Sequence, residues 1–275
     1  MKTEQTTDRI PAVLVHGWNS HPGIWNRLCP LLTEASVPIW KFDYTGMRDA
    51  DLPEIAAALS EYITATRKTS GYGGPVDIVC HSVGTCIARY LFEVLDGVAR
   101  QEKVRQLIGI GPPNNGSALA ELFHDPGRRE EIIGKLTGVF VPEGFDPAAD
   151  RIVQDVRPRS EVMQRLRSAG TRSDITYRVI VTANLKKVPA FFPLFEGQTW
   201  VRTEDGSYAA TFDGDGIVPN RESALPGVSL DIISSGETGG DTLPQPGQYC
   251  HINLPRNPAV MERVLQFLCL PVRKQ

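Results

Sequence analysis

Ser82 stands at the end of a short apolar run, V-D-I-V-C-H-S-V-G over residues 76–84, with a helix-forming segment directly behind it. These residue types describe a sharp strand-to-helix turn. Small residues two before and two after the serine let strand and helix pack closely while the hydroxyl stands clear. Cys80 and Gly84 fill those two positions. Cysteine is larger than glycine, yet it is a compact, poorly hydrated side chain suited to a buried strand end. Alone, S-x-G after a strand fits equally a serine that merely caps the following helix. The chemistry becomes specific only if the chain supplies the partners a nucleophilic serine needs.

A serine hydroxyl is a weak nucleophile at neutral pH, so a histidine must take its proton and a carboxylate must orient that histidine. In serine enzymes built on a strand–turn–helix elbow, acid and base follow the nucleophile along the chain. Of five histidines, only His124 and His251 follow Ser82. His124 sits in a charged stretch with a proline-glycine turn behind it, whereas His251 precedes the last amphipathic segment, which makes His251 the expected base. Between serine and base, T-F-D-G-D-G-I-V-P-N over residues 211–220 offers two carboxylates. Asp215, which opens D-G-I-V, is favoured as the acid, with Asp213 in reserve. The plainer alternative for both is a turn in which aspartates bond their own backbone. A calcium loop does not fit, because the fifth position has no acceptor and the twelfth no glutamate.

The tetrahedral intermediate of acyl transfer carries an oxyanion, which needs backbone N–H groups already aimed at it. Val83, the residue after the serine, supplies one at a helix N-terminus, where the dipole favours negative charge. Trp18 is the expected second donor, in the loop His16-Gly17-Trp18 that follows the apolar run 12–15. His16 and His81 read as residues that shape these turns. Five cysteines without C-x-x-C spacing suggest neither a zinc site nor a disulfide framework, and no metal or cofactor is expected.

Such groups must be carried by strands. Apolar runs at 12–15, 38–44, 76–80, 104–110, 176–183 and 228–234 alternate with helical segments, the signature of a parallel sheet covered on both faces. Helical periodicity is clearest over 52–67, after Ser82 (Ile87, Leu91, Val94, Leu95), and near the end (Val260, Val264, Leu265, Leu268). Residues 117–173 break this pattern with charged, Pro- and Gly-punctuated sequence holding short amphipathic pieces at 129–136 and 160–166. They read as a cap or lid inserted into one α/β domain spanning 1–275. A net charge of −3 without a lysine–arginine cluster argues against a nucleic-acid partner. The polar N-terminus lacks the apolar stretch of a secretory signal and no run is long enough to cross a bilayer, so a cytoplasmic location is expected.

Five segments together carry a resemblance: V-L-V-H-G-W-N-S at 13–20, the elbow at 76–84, G-P-P-N-N-G-S-A-L-A at 111–120, G-D-G-I-V-P at 214–219 and H-I-N-L at 251–254. The chain resembles the α/β-hydrolases, and within them bacterial lipases and esterases with an H-G-x oxyanion loop. The resemblance implies the α/β-hydrolase fold, a mostly parallel central sheet with helices on both faces and an inserted cap. It implies Ser82 as nucleophile, Asp215 as acid, His251 as base, and Trp18 and Val83 as oxyanion donors. Cys80 departs from the family's glycine or alanine, and Thr85 from the second glycine of many lipases; neither removes a reacting group. The implied activity is a serine carboxylester hydrolase acting on small-molecule or lipid esters with an apolar acyl part. Thioesterase or acyltransferase chemistry from the same groups is the alternative, and contact with a lipid surface is compatible with either. A non-catalytic binding protein on the same scaffold is a different class, which the loss of a triad member would favour. The loop V-P-A-F-F-P-L-F-E-G at 188–197 is unusually apolar for irregular chain. Its Phe191, Phe192 and Phe195 are expected to line the acyl entrance, or else to pack on the cap.

Overall fold

The structure, a computed structural model, describes residues 9–234 and 245–270. The polar segment 1–8, on which the expected location partly rests, lies outside the described residues. Six strands form one sheet: β1 (Ala12–Val15), β2 (Ile39–Phe42), β3 (Val76–His81), β4 (Val104–Ile110), β5 (Thr176–Ala183) and, after the pair β6 (Thr199–Arg202) and β7 (Tyr208–Thr211), β8 (Leu230–Ser234). Their order is β2-β1-β3-β4-β5-β8, and every neighbouring pair is parallel. A-V-L-V in β1 and V-D-I-V-C-H in β3 are buried along their whole length, as central strands with helices on both faces must be.

Helices α1 (Leu28–Glu34), α2 (Leu52–Ser70) and α3 (Val83–Arg89) connect the first four strands. The Asp51 and Glu54 side chains each bond the other's backbone N–H to start α2, and Gly71 ends it in the left-handed conformation at φ 67°. Helix α3 continues as a π-helical turn, Tyr90–Leu95. Buried Arg89 ties this helix to Glu93 at 2.8 Å and to the Asn114 carbonyl at 3.0 Å, fixing the elbow helix against the loop after β4. Between β4 and β5 lie α4 (Ala118–Leu122), α5 (Arg129–Leu136), α6 (Arg151–Asp155) and α7 (Glu161–Ala169), all within the stretch expected to be an insertion. Then come α8 (Asn220–Ser223) and α9 (Pro258–Cys269), the latter capped by the Asn257 side chain.

The antiparallel pair β6–β7 was not foreseen. T-W-V-R and Y-A-A-T flank T-E-D-G-S, in which Asp205 accepts from the Ser207 N–H and the Thr203 hydroxyl and so closes a tight turn. Among the described residues no helix is long and apolar enough to cross a membrane.

Candidate active site

Ser82 occupies the turn between β3 and α3 with φ 54° and ψ −130°, a conformation that costs a non-glycine residue energy and holds its side chain at the sheet's carboxyl edge. The Ser82 N–H donates to the Ile110 carbonyl at 2.9 Å, anchoring the turn to β4. Gly84 permits the close approach of α3 to β1, because a Cβ there would lie 2.4 Å from the His16 carbonyl oxygen. Cys80 pairs in register with Val15 and Gly109 and is fully buried. Burial pushes its thiol well above the ordinary range, so it packs as a neutral side chain.

Two segments from the far end of the chain meet this serine. His251 Nε2 lies 2.9 Å from Ser82 Oγ, and His251 Nδ1 lies 2.7 Å from Asp215 Oδ2. An imidazole protonated on Nδ1 donates to Asp215 and accepts the Ser82 hydroxyl proton at Nε2. The second Asp215 oxygen accepts from the Ile217 N–H at 3.0 Å and the Val218 N–H at 2.7 Å. The His251 N–H also donates to the Asp215 carbonyl at 2.8 Å, so acid and base are locked together by backbone as well as side chain. Asp213 is not brought to the histidine; its carboxylate accepts from Asn220 Nδ2 at 2.6 Å instead. His124 is also elsewhere, with Nδ1 at the Ala120 carbonyl and Nε2 at Gln154. All three assembled residues are nearly sealed from solvent: Ser82 is 8% exposed, Asp215 2% and His251 1%.

The flanking histidines shape the site. His16 stacks on Tyr44 with ring centroids 3.9 Å apart, and its Nδ1–H donates to the Gly17 carbonyl at 2.9 Å. Burial lowers its pKa. His81 Nε2–H donates to the His251 carbonyl at 3.0 Å, and the two rings lie 4.7 Å apart. Burial, reinforced by neighbouring His251, pushes His81 well below its ordinary value and keeps it neutral.

Above Ser82 lies a small apolar cavity of about 40 Å³, bounded by Trp18 and Val83 and roofed by Phe123, Phe140, Ile152 and Val156 of the β4–β5 segment. The roof residues escaped sequence reading because R-I-V-Q-D-V reads the same whether it faces a core or a ligand. Phe191, Phe192 and Phe195 are not among the residues that bound this cavity; their contacts are those of the packing alternative. All three are buried, Phe192 packs edge-to-face on Phe195, and a Cβ on Gly216 would lie only 2.6 Å from Phe192 Cγ. Their apolarity serves to back the Asp215 loop. Among the described residues no group of histidine, cysteine and carboxylate side chains is gathered to hold a metal ion.

A serine on a strand-to-helix elbow, at the carboxyl edge of a parallel sheet and within reach of a histidine–aspartate pair, defines the hydrolase class built on this sheet. The chain belongs to the alpha/beta hydrolase family, whose model matches residues 12–249. Its fold is similar to that of the Bacillus licheniformis lipase BlEst2 in mature form (TM-score 0.68, 17% identity), with 95% of this chain and 93% of that chain covered. Phospholipase PlaB from Legionella pneumophila shares the fold at TM-score 0.63 and 16% identity, covering 96% of this chain and 61% of that one. The Paleococcus ferrophilus monoacylglycerol lipase does so at TM-score 0.54 and 14% identity over 94% and 95%. No curated protein matches the chain.

Proposed function

We propose that the protein is a serine carboxylester hydrolase that cleaves esters with an apolar acyl part through an acyl-enzyme. The observation that carries this reading is the continuous run from Asp215 through His251 to Ser82, at 2.7 and 2.9 Å, opening beneath an apolar cavity. In this reading Ser82 Oγ attacks the ester carbonyl while His251 Nε2 takes the hydroxyl proton, and Asp215 stabilises the resulting imidazolium. The carbonyl oxygen becomes an oxyanion between the Val83 and Trp18 N–H groups. The first N–H groups of a helix have no intrahelical acceptor, which leaves Val83 free for this role. Collapse breaks the ester C–O bond, and His251 returns the proton to the departing alcohol. Water then enters by the same route: His251 takes its proton as the water oxygen bonds the acyl carbon, and on collapse the acyl–Ser82 bond breaks, Ser82 Oγ recovers the proton from His251, and a carboxylic acid leaves.

The β4–β5 segment acts as the cap and supplies the acyl side of the site. A volume of about 40 Å³ is room for roughly three water-sized groups. The seated cap therefore favours short acyl chains, and longer ones require Phe123 and Phe140 to move. The test is hydrolysis of a p-nitrophenyl ester series of increasing acyl length beside matched thioesters, with Ser82→Ala as control. Ester turnover that disappears in Ser82→Ala supports the reading; full activity in that variant ends it. A preference for thioesters at equal acyl length would redirect it to a thioesterase.

A further inference from the structure

Trp18 is held by the β4–β5 segment at several points. Its indole Nε1–H donates to Asp150 Oδ2 at 2.8 Å across 132 residues of sequence. Its ring lies 5.4 Å from Phe140 and 5.4 Å from Phe145, and the next residue, Asn19, donates from Nδ2 to the Phe140 carbonyl at 3.2 Å. Asp150 uses both oxygens, because Oδ1 accepts from the Val153 N–H at 2.9 Å and caps α6. Helix α6 is in turn pinned to the start of α2. Arg151 pairs with Asp51 and with Glu54, the latter at 2.9 Å, and Asp155 accepts from the Leu52 N–H at 2.8 Å. The support under the indole is thus a fixed one, bolted to the sheet's own helices.

An oxyanion donor works only when aimed at the developing charge before reaction begins, and loops meet that demand less well than helices. Val83 is aimed by α3. The Trp18 N–H belongs to an irregular loop, and Asn19 beside it lies at φ 46°, so its direction needs an external hold. The geometry points to Asp150 as a positioning residue for the oxyanion hole: by gripping the Trp18 indole, it fixes the direction of the Trp18 N–H. Transition-state stabilisation at Ser82 then depends on the β4–β5 segment being seated. This inference rests on the reading of the Trp18 N–H as an oxyanion donor.

The experiment compares Asp150→Asn, Trp18→Phe and the double variant, with Ser82→Ala as control. Asparagine is a good helix cap, but its NH2 takes the place of one carboxylate oxygen and cannot accept, so Val153 and Trp18 no longer each meet an acceptor. Phenylalanine keeps a ring and the backbone N–H but has no Nε1–H. Removing an oxyanion donor outright costs about 10²–10³ in kcat, so misdirecting one should cost about ten-fold. Each single variant is expected to lose about that in kcat with KM within about two-fold, and the double variant to lose no more than the worse single, because both remove one link. The Ki of an alkyl trifluoromethyl ketone, whose hemiketal oxyanion occupies the same hole, should rise by the same factor. Titration with a p-nitrophenyl phosphonate normalises every rate to folded sites. The inference is overturned if kcat per titrated site stays within about two-fold, if the losses multiply in the double variant, or if Ki does not move. Should Asp150→Asn fail to fold, Trp18→Phe alone decides by the kcat and Ki criteria. Retained activity in Ser82→Ala would instead overturn the catalytic reading beneath it.

Discussion

Gly84→Ala tests how the elbow and the loop through Gly17 and Trp18 are held together. A Cβ at position 84 would stand 2.4 Å from the His16 carbonyl oxygen and 2.9 Å from that of Val15, where ordinary contact begins near 3.4 Å. Both obstacles are backbone, so neither can swing aside. The start of α3 and the end of β1 must part by about 1 Å, and that movement separates the Val83 N–H from the Trp18 N–H. Overpacking costs about 1–3 kcal/mol, and a backbone obstacle places this case near the upper end. At about 2–4 °C per kcal/mol for a chain of this size, Tm should fall by roughly 6–12 °C. A 1 Å misplacement near reacting groups costs about 10²-fold in rate, so kcat for a short p-nitrophenyl ester should drop by about that factor per folded site. Calorimetry and active-site-titrated kinetics measure the two effects. Gly134→Ala is the internal comparison: this exposed glycine inside α5 has nothing within 4 Å, and alanine there should stabilise by about 1 kcal/mol. A Gly84→Ala enzyme with Tm within 2 °C and kcat within three-fold of the parent, both rough thresholds drawn from these magnitudes, would refute the reasoning.

Asp215→Asn should lower kcat by about 10⁴-fold, because an amide facing His251 Nδ1 selects the wrong tautomer, while Asp213→Asn should leave steady-state kinetics close to wild type. Phe123→Ala, which opens the roof over Ser82, should move the optimum of an ester series toward longer acyl chains. Phe192→Ala should instead lower stability by about 3–5 kcal/mol in denaturant titrations and leave the chain-length optimum in place. Burial raises the Glu222 carboxyl well above its ordinary value of 4.5, although its Oε1 accepts the Ala118 N–H at 3.0 Å. Its contribution to stability is therefore whole below about pH 4.5 and lost as pH rises toward the folded value. Glu222→Gln should gain stability relative to the parent as pH increases above 4.5, by up to about 1.4 kcal/mol per pH unit. Melting curves at several pH values read this directly, and a constant difference would contradict it.

The central strands were legible because burial on both faces imposes a composition that little else does: residues 12–15, 104–110 and 176–183 read as strands and coincide with β1, β4 and β5. Periods of two and of 3.6 are local properties, and local properties survive in sequence. Chain order likewise limited the base to His124 or His251 and made Asp215 a candidate, and local context favoured His251. The sequence favours Asp215 but leaves Asp213 in reserve, since both sit in the same glycine-rich turn; in the fold a long-range contact, to a histidine 36 residues away, distinguishes them. The apolar loop around Phe192 admits both an entrance and a packing reading for a physical reason. A side chain avoids water equally well against a substrate or against a glycine of its own chain. The Trp18–Asp150 link left no trace in sequence at all, because a loop tryptophan and a helix-capping aspartate each have sufficient local explanations.

The distance along the chain between Ser82 and His251 has a consequence for how the protein comes into being. Trp18 follows β1, and Ser82 and Val83 follow β3, whereas His251 follows β8, 169 residues after the serine. During synthesis the elbow can form long before its histidine leaves the ribosome, so a nascent or truncated chain carries an inert hydroxyl. In the proposed mechanism, turnover begins only when β8 is docked beside β5 and His251 reaches Ser82. In refolding, the return of ester cleavage would therefore time the docking of β8 and His251, and any lag behind the return of secondary structure would measure how long that docking takes.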